Sequence, residues 1–404
     1  MKRAINLGLC TASIALLLSC GNYNNPSTGS TGLTSGIKKR AFVSNNFQNQ
    51  LDIVNAANDT VNTILTTTTA GTTASILANT IATGTGPAQM VLTADKTLTL
   101  VFDKGSNTIA VIVNATEANA GLIPLPDFTE SFVVAPDNKT VYAAVPNVPQ
   151  TGQTAGAVEV LSATTGALAN TIPVPRARRV VLSHNGNKLL VFADGDDRMW
   201  VVDTAAKTAT AVTGFDRPVS GVFSSDDSKA YILNCGPECG GTAAKVTVLD
   251  MASNTPGASV AVSAATVGLL DSSGNLYVAG TAAAGGKLDV VNSSSLTVSK
   301  SGVAISDGTH TILALGSNSK LFVASRACSN AIQGCLSIVD TAAGSAVTSA
   351  AGGGDVTGIE PVSARNVVYV IEGGELVIYD TTTGQPQTTQ IDIVGKAIDV
   401  RVVD

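Results

Sequence analysis

The sequence predicts an all-β chain: a single β-propeller of four-stranded blades, with eight blades favoured and seven the alternative. Three observations lead there. Thr, Ala, Ser, Gly and Val dominate a chain of 404 residues with 4% aromatic and 13% charged side chains, a composition of short strands and turns rather than helix bundles. One phrase, clearest at 365–384 (RNVVYVIEGGELVIYDTTTG), alternates apolar and polar residues on both sides of a Gly-Gly turn, the pattern of a hairpin. The same phrase recurs along nearly the whole chain after residue 38.

Taken in order, the chain opens on Lys2 and Arg3, followed by an apolar run over residues 7–18, too short for an ordinary membrane-spanning helix. The run ends Leu17-Leu18-Ser19-Cys20, which resembles the lipobox of bacterial lipoproteins, although Leu18 is a less usual residue there than Ala or Thr. The resemblance implies a signal peptide over residues 1–19, cleavage before Cys20, and lipidation of Cys20 on its thiol and new amine. Residues 20–38 then hold the lipidated Cys and a flexible Gly/Ser/Asn/Thr tether, and 39–404 form the propeller. Gly21 rather than Asp after the Cys, by resemblance to the sorting rules of diderm bacteria, implies the outer membrane. The resulting expectation is a monomer in the bacterial cell envelope, touching the membrane through its lipid anchor only.

Eight copies of the phrase follow. Their third strands (LDIV, IAVIV, VEVL, MWVV, VTVL, LDVV, LSIV and LVIY) end at Asn55, Asn114, Ser162, Asp203, Asp250, Asn292, Asp340 and Asp380. A terminal Asp, Asn or Ser can accept a hydrogen bond from the backbone two residues on, so the acids among these markers are turn formers. Ahead of each phrase except the first lies another short strand, giving four antiparallel strands per unit. The first step between markers is 59 residues; later steps alternate between 47–48 and 40–42, which suggests growth by duplicated blade pairs and an even blade number. The excess in the first step is the Thr-rich stretch 66–83, expected to lengthen an outer strand or loop of the first blade. The tail GKAIDVRVVD reads as an inner strand without a blade, and the first unit lacks an inner strand; the C-terminal strand is expected to join the N-terminal blade and close the ring.

The carriers RAFVSNN, NQLDIVNAANDTV and NVVYVIEGGELVIYDTTTG resemble the YVTN-type, 40-residue β-propeller repeats of bacterial surface proteins. The resemblance implies the fold and leaves the activity open, because propellers host many functions. Gly-His and Trp-Asp signatures of WD40-like repeat arrays are missing, as are CxxCH, HExxH, GxSxG and phosphate-loop patterns.

Few residues carry chemistry. Beyond Cys10 and Cys20, four cysteines remain, in two pairs that occupy the same loop between second and third strands. An exported compartment favours disulfides, so Cys235 with Cys239 and Cys328 with Cys335 are expected as two local staples, a zinc site from all four being the alternative. Loops at 146–156, 235–244 and 327–334 are long and share the face where inner strands begin. On that face stand Arg176, Arg178, Arg179 and Arg217, a concentration of positive charge in a chain of net charge −6. Guanidinium forks bind carboxylate or phosphate in pairs of hydrogen bonds, so these four are candidates for an anionic ligand, with Asp216, Glu130 and Asp355 available to neutralise them instead. His310, before an inner strand, is a weaker ligand-binding candidate. The acidic loop Asp194, Asp196 and Asp197 matches no calcium-loop spacing and reads as a solvated hairpin loop.

The composition excludes a nucleic-acid partner, since no basic stripe is present. No catalytic residue, cofactor or metal is expected. The leading expectation is a non-catalytic binding or scaffold domain for a small anionic ligand, a glycan or a protein. Alternatives are a lactonase-like hydrolase, which would gather groups such as Glu130, Asp307, His310, Asp355 and Glu360 at the central channel, and a purely structural envelope component.

Overall fold

The computed structural model describes residues 34–61, 65–69, 72–76, 80–329, 334–343, 345–349, 353–387 and 391–404. Cys20, the expected signal peptide over residues 1–19 and most of the expected tether lie outside them.

Eight antiparallel blades form a ring. Their inner strands are, for blades 1 to 8, Ala397–Val402, Pro87–Leu92, Ser131–Val134, Ala177–Leu182, Pro218–Phe223, Val267–Leu270, Thr309–Leu315 and Val356–Pro361. In blades 2 to 8 the four strands follow one another in sequence. Blade 1 is assembled from both ends of the chain: Arg40–Asn45 pairs with Ala397–Val402 on one side and with Gln50–Asn55 on the other. This is the closure expected from the unpaired tail.

The strands form where alternation and β-branching demand it, and the turns hold where the markers stand. The side-chain oxygens of Asn55, Asp203, Asp250, Asn292, Asp340 and Asp380 each accept the backbone N–H two residues on, at 2.7–3.1 Å. Ser162 accepts from Thr165 instead, and Asn114 turns inward to the hydroxyl of Thr99 at 2.8 Å. The Thr-rich excess becomes an extra hairpin, Leu65–Thr69 with Thr72–Ile76. It interrupts the outer strand of blade 1, whose two pieces, Thr60–Val61 and Thr80–Ala82, both pair with Gln50–Asn55.

The core is divided rather than central. Eight apolar clusters fill the eight spaces between neighbouring blades. The seam between blades 8 and 1 holds Tyr369, Ile378, Val43, Val400 and Val402. That between blades 1 and 2 holds Phe42, Ile53, Met90 and Val403. Around these seams the face carrying the first-to-second and third-to-fourth strand turns, the lower face, is tied by charge. Arg365 forks onto Asp59 at 2.5 and 2.6 Å, and Tyr369 donates its hydroxyl to the same carboxylate at 2.5 Å. Arg40 bridges Asp404 at 2.6 Å and Glu117 at 3.0 Å.

The terminal strand therefore completes two of the eight cores. Its buried Val400, Val402 and the following Val403 contribute on the order of 5–9 kcal/mol of burial, comparable to the whole stability of an ordinary domain. Deleting residues 396–404 is expected to remove the cooperative unfolding transition of the entire ring, read by melting followed at Trp200, the chain's single tryptophan. An unchanged melting curve would contradict the closure.

Candidate functional site

Four strands per blade bring every second-to-third strand loop and every inner-strand start to one face, the upper face. There the two staples form: Cys235 is bonded to Cys239 and Cys328 to Cys335. The first closes a 3-10 turn, Gly236–Cys239, ended by Gly240 in the left-handed region at φ 79°. Acidic side chains stitch these loops down. Asp216 accepts the amides of Thr242 and Ala243, both at 2.9 Å. Glu238 reaches into blade 6 and accepts the Thr281 amide at 2.8 Å. Asp307 accepts the Ser329 amide at 2.8 Å, and Asp355 the Ala327 amide at 2.7 Å.

Six of the eight inner strands begin on β-bulges, among them one between Ala177 and Arg179, one between His310 and Ile312 and one between Val356 and Gly358. A bulge adds a residue that breaks the alternation and re-aims its neighbours. In blade 4 it separates the two adjacent arginines. Arg178 turns up to the mouth, where it pairs with Glu130 at 2.5 Å and with Asp194; its side chain remains 46% exposed. Arg179 turns across the ring. It passes the inner strand of blade 5, and its Nη1 donates to the Thr266 carbonyl at the start of blade 6, at 3.5 Å. Burial, the largest influence, pulls its pKa below the ordinary guanidinium value, Glu130 opposing and Arg178 adding.

The remaining candidates are distributed as follows. Arg217 approaches Asp197 at 3.7 Å and donates to the Gly195 carbonyl. Arg176 has a positive φ of 52°. Asp196 forks with Arg198, whose guanidinium covers the Trp200 ring at 5.3 Å. The acidic loop of blade 4 is thus the counter-charge of the arginine cluster. His310 is buried; its Nε2–H donates to the Ser306 carbonyl at 2.9 Å, and burial lowers its pKa, keeping it neutral. Glu360 stands 3.6 Å from Arg401, which also meets Asp399 at 3.2 Å. Burial raises both of these carboxyls.

Glu130, Asp307, His310, Asp355 and Glu360 therefore do not converge. Each is engaged separately, on blades 3, 7 and 8. Among the described residues, no three His, Cys, Asp or Glu side chains are grouped so as to hold a metal ion. Sequence reasoning placed the acidic loop apart from the arginines, yet the strand order already puts both on the upper face. It did not find the Arg401–Asp399–Glu360 group, because only ring closure brings the C-terminal strand beside blade 8.

No family model and no curated protein matches the chain. Its shape is shared by solved structures. A dihydro-heme d1 dehydrogenase, NirN, aligns over 90% of this chain and 75% of its own at TM-score 0.69 and 13% identity. A functionally unknown protein of Desulfotomaculum acetoxidans aligns over 90% and 98% at TM-score 0.54 and 13% identity. The β-propeller domain of Cps50 (Swd1) of Myceliophteria thermophila aligns over 71% and 92% at TM-score 0.52 and 11% identity. At such identities the likeness concerns the propeller fold alone.

Buried polar side chains recur at the upper ends of the second strands: Asn45, Asp103, Asn234, Ser325 and Glu372. Asp103 is the least satisfied. Thr108 donates to its Oδ2 at 3.2 Å, while Oδ1 has no partner and burial pushes its pKa up to about 7. The folded state holds this proton where the unfolded chain, near 3.8, has lost it. Stability from Asp103 is therefore present below about pH 4 and lost as pH rises through 7. Asp103→Asn is expected to raise the melting temperature more at pH 8 than at pH 5. An equal effect at both values would contradict the buried, protonated carboxyl.

Proposed function

We propose that the chain is a bacterial envelope lipoprotein whose ring is a non-catalytic binding domain, anchored through Cys20. The single observation that carries this is the polarity of the ring. The tether meets the lower face: Ser35 donates its amide and hydroxyl to Glu117, Ile37 packs beside Phe42 and Met90, and Lys39 donates to the Ser363 carbonyl. The stapled loops and the channel mouth lie on the opposite face. A lipid at Cys20 would turn the lower face to the membrane and present the elaborated one. Loops fixed by disulfides and by carboxylates are pre-organised, which cuts the entropy lost when a partner binds. The signal-like run over residues 7–18, the lipobox-like Leu17-Leu18-Ser19-Cys20 and the YVTN-like repeats support the same reading.

Membrane fractionation and intact mass test it. Wild-type protein is expected in the membrane fraction with an acylated Cys20 at its mature N-terminus, and Cys20→Ala in the soluble fraction. An unmodified Cys20, or a membrane-bound variant, overturns the proposal.

A further inference from the structure

We infer that Arg179 is the anion-binding group of a channel site for a small carboxylic acid with an apolar body. The inference deepens the reading of the ring as a binding domain and is independent of the lipid anchor.

Three observations converge on it. First, Arg179 has no carboxylate partner within 4.0 Å, although every Asp and Glu of the chain lies among the described residues. Among the described residues its guanidinium makes one hydrogen bond, the 3.5 Å contact with the Thr266 carbonyl. A guanidinium carries five N–H donors, so most of this fork is unspent. Second, the other two arginines on the inner strands are engaged. Arg178 is held by Glu130 and Asp194, and Arg401 by Glu360 and Asp399. At the position of Arg179, blade 1 has Asp399, which accepts the Met90 amide at 2.8 Å, and blade 3 has Ser131, which accepts that of Val180 at 3.1 Å. Those side chains tie each inner strand to the next blade; Arg179 passes its neighbour instead.

Third, the walls below change character. Two residues further along the inner strands, the aligned positions are Val91, Val133, Val181, Val222, Leu269 and Ala314, all partly exposed. On blades 8 and 1 the same positions are the mutually paired Glu360 and Arg401. Each of these six side chains packs partly against the core between its blade and the next, and their exposed remainders form an aliphatic collar beneath the unneutralised guanidinium. A carboxylate fits the fork through two oxygens, and an apolar body fits the collar. A bare inorganic anion would leave the collar in water.

The pairing is also energetically consistent. The partly buried Arg179 side chain lacks a carboxylate partner, so its removal gives back whatever desolvation cost it carries in the empty ring, a cost that a ligand carboxylate would offset.

The test uses the full-length chain carrying Cys20→Ala, which needs no detergent, with calorimetric titration of acetate, butyrate and hexanoate, and of phosphate, against chloride at matched ionic strength. Affinity is expected to rise roughly three- to fourfold per methylene. Arg179→Gln should weaken hexanoate by about tenfold or more, while Arg198→Gln, which removes a guanidinium paired separately with Asp196, leaves it nearly unchanged. Without ligand, Arg179→Gln should melt at or above the temperature of the parent. Phosphate binding as tightly as hexanoate, no carboxylate binding, an unaffected Arg179→Gln, or a lower melting temperature for the empty variant would each overturn the assignment. None of these results bears on the anchor, which fractionation reads separately.

Discussion

Everything in this ring depends on one antiparallel ladder, that between Arg40–Asn45 and Ala397–Val402. Its register runs from Ala41 opposite Val402 to Asn45 opposite Ala397. A blade packs both faces against neighbours, so no blade has a core of its own. Leaving this pair unmade exposes the edge of Arg40–Asn45 and opens the seams on both sides of blade 1. The loop it closes is the whole domain, but closure entropy grows only logarithmically with length. Two completed cores and the Arg40–Asp404 pair outweigh it.

Closure also assigns the two faces. An even number of strands per blade returns the chain to the upper face after each blade. The short turns and the two ends of the ring, at Arg40 and Val402, are thereby left below, and the long loops above. The staples, the carboxylate stitches and the arginine cluster all follow that division. The bulges refine it: one extra residue at the start of a strand decides whether a side chain stands at the mouth or in the channel.

Much of this was legible in the sequence. The markers at Asn55 through Asp380 give the blade count because a turn former is needed wherever the third strand ends. The unpaired tail gave the closure because a strand edge must be covered. The cysteine pairs sit in one slot of the repeat, and both form local bonds. Side-chain direction was not legible. Arg178 and Arg179 are adjacent letters with opposite fates, separated by a bulge that no residue type marks. His310 starts an inner strand as expected, yet its ring is buried against the Ser306 carbonyl, because alternation points it between blades 6 and 7. The acidic loop at Asp194–Asp197 answers arginines 16 and 20 residues away, a pairing set by topology and not by spacing.

Native-state hydrogen exchange tests the ladder most directly. The hydrogen-bonded amides of Ala397–Val402 should exchange only through global unfolding, with the same opening free energy as those of Lys229–Asn234 on the far side of the ring. If the terminal strand exchanges at a lower free energy while blade 5 stays protected, the ring does not depend on its closure.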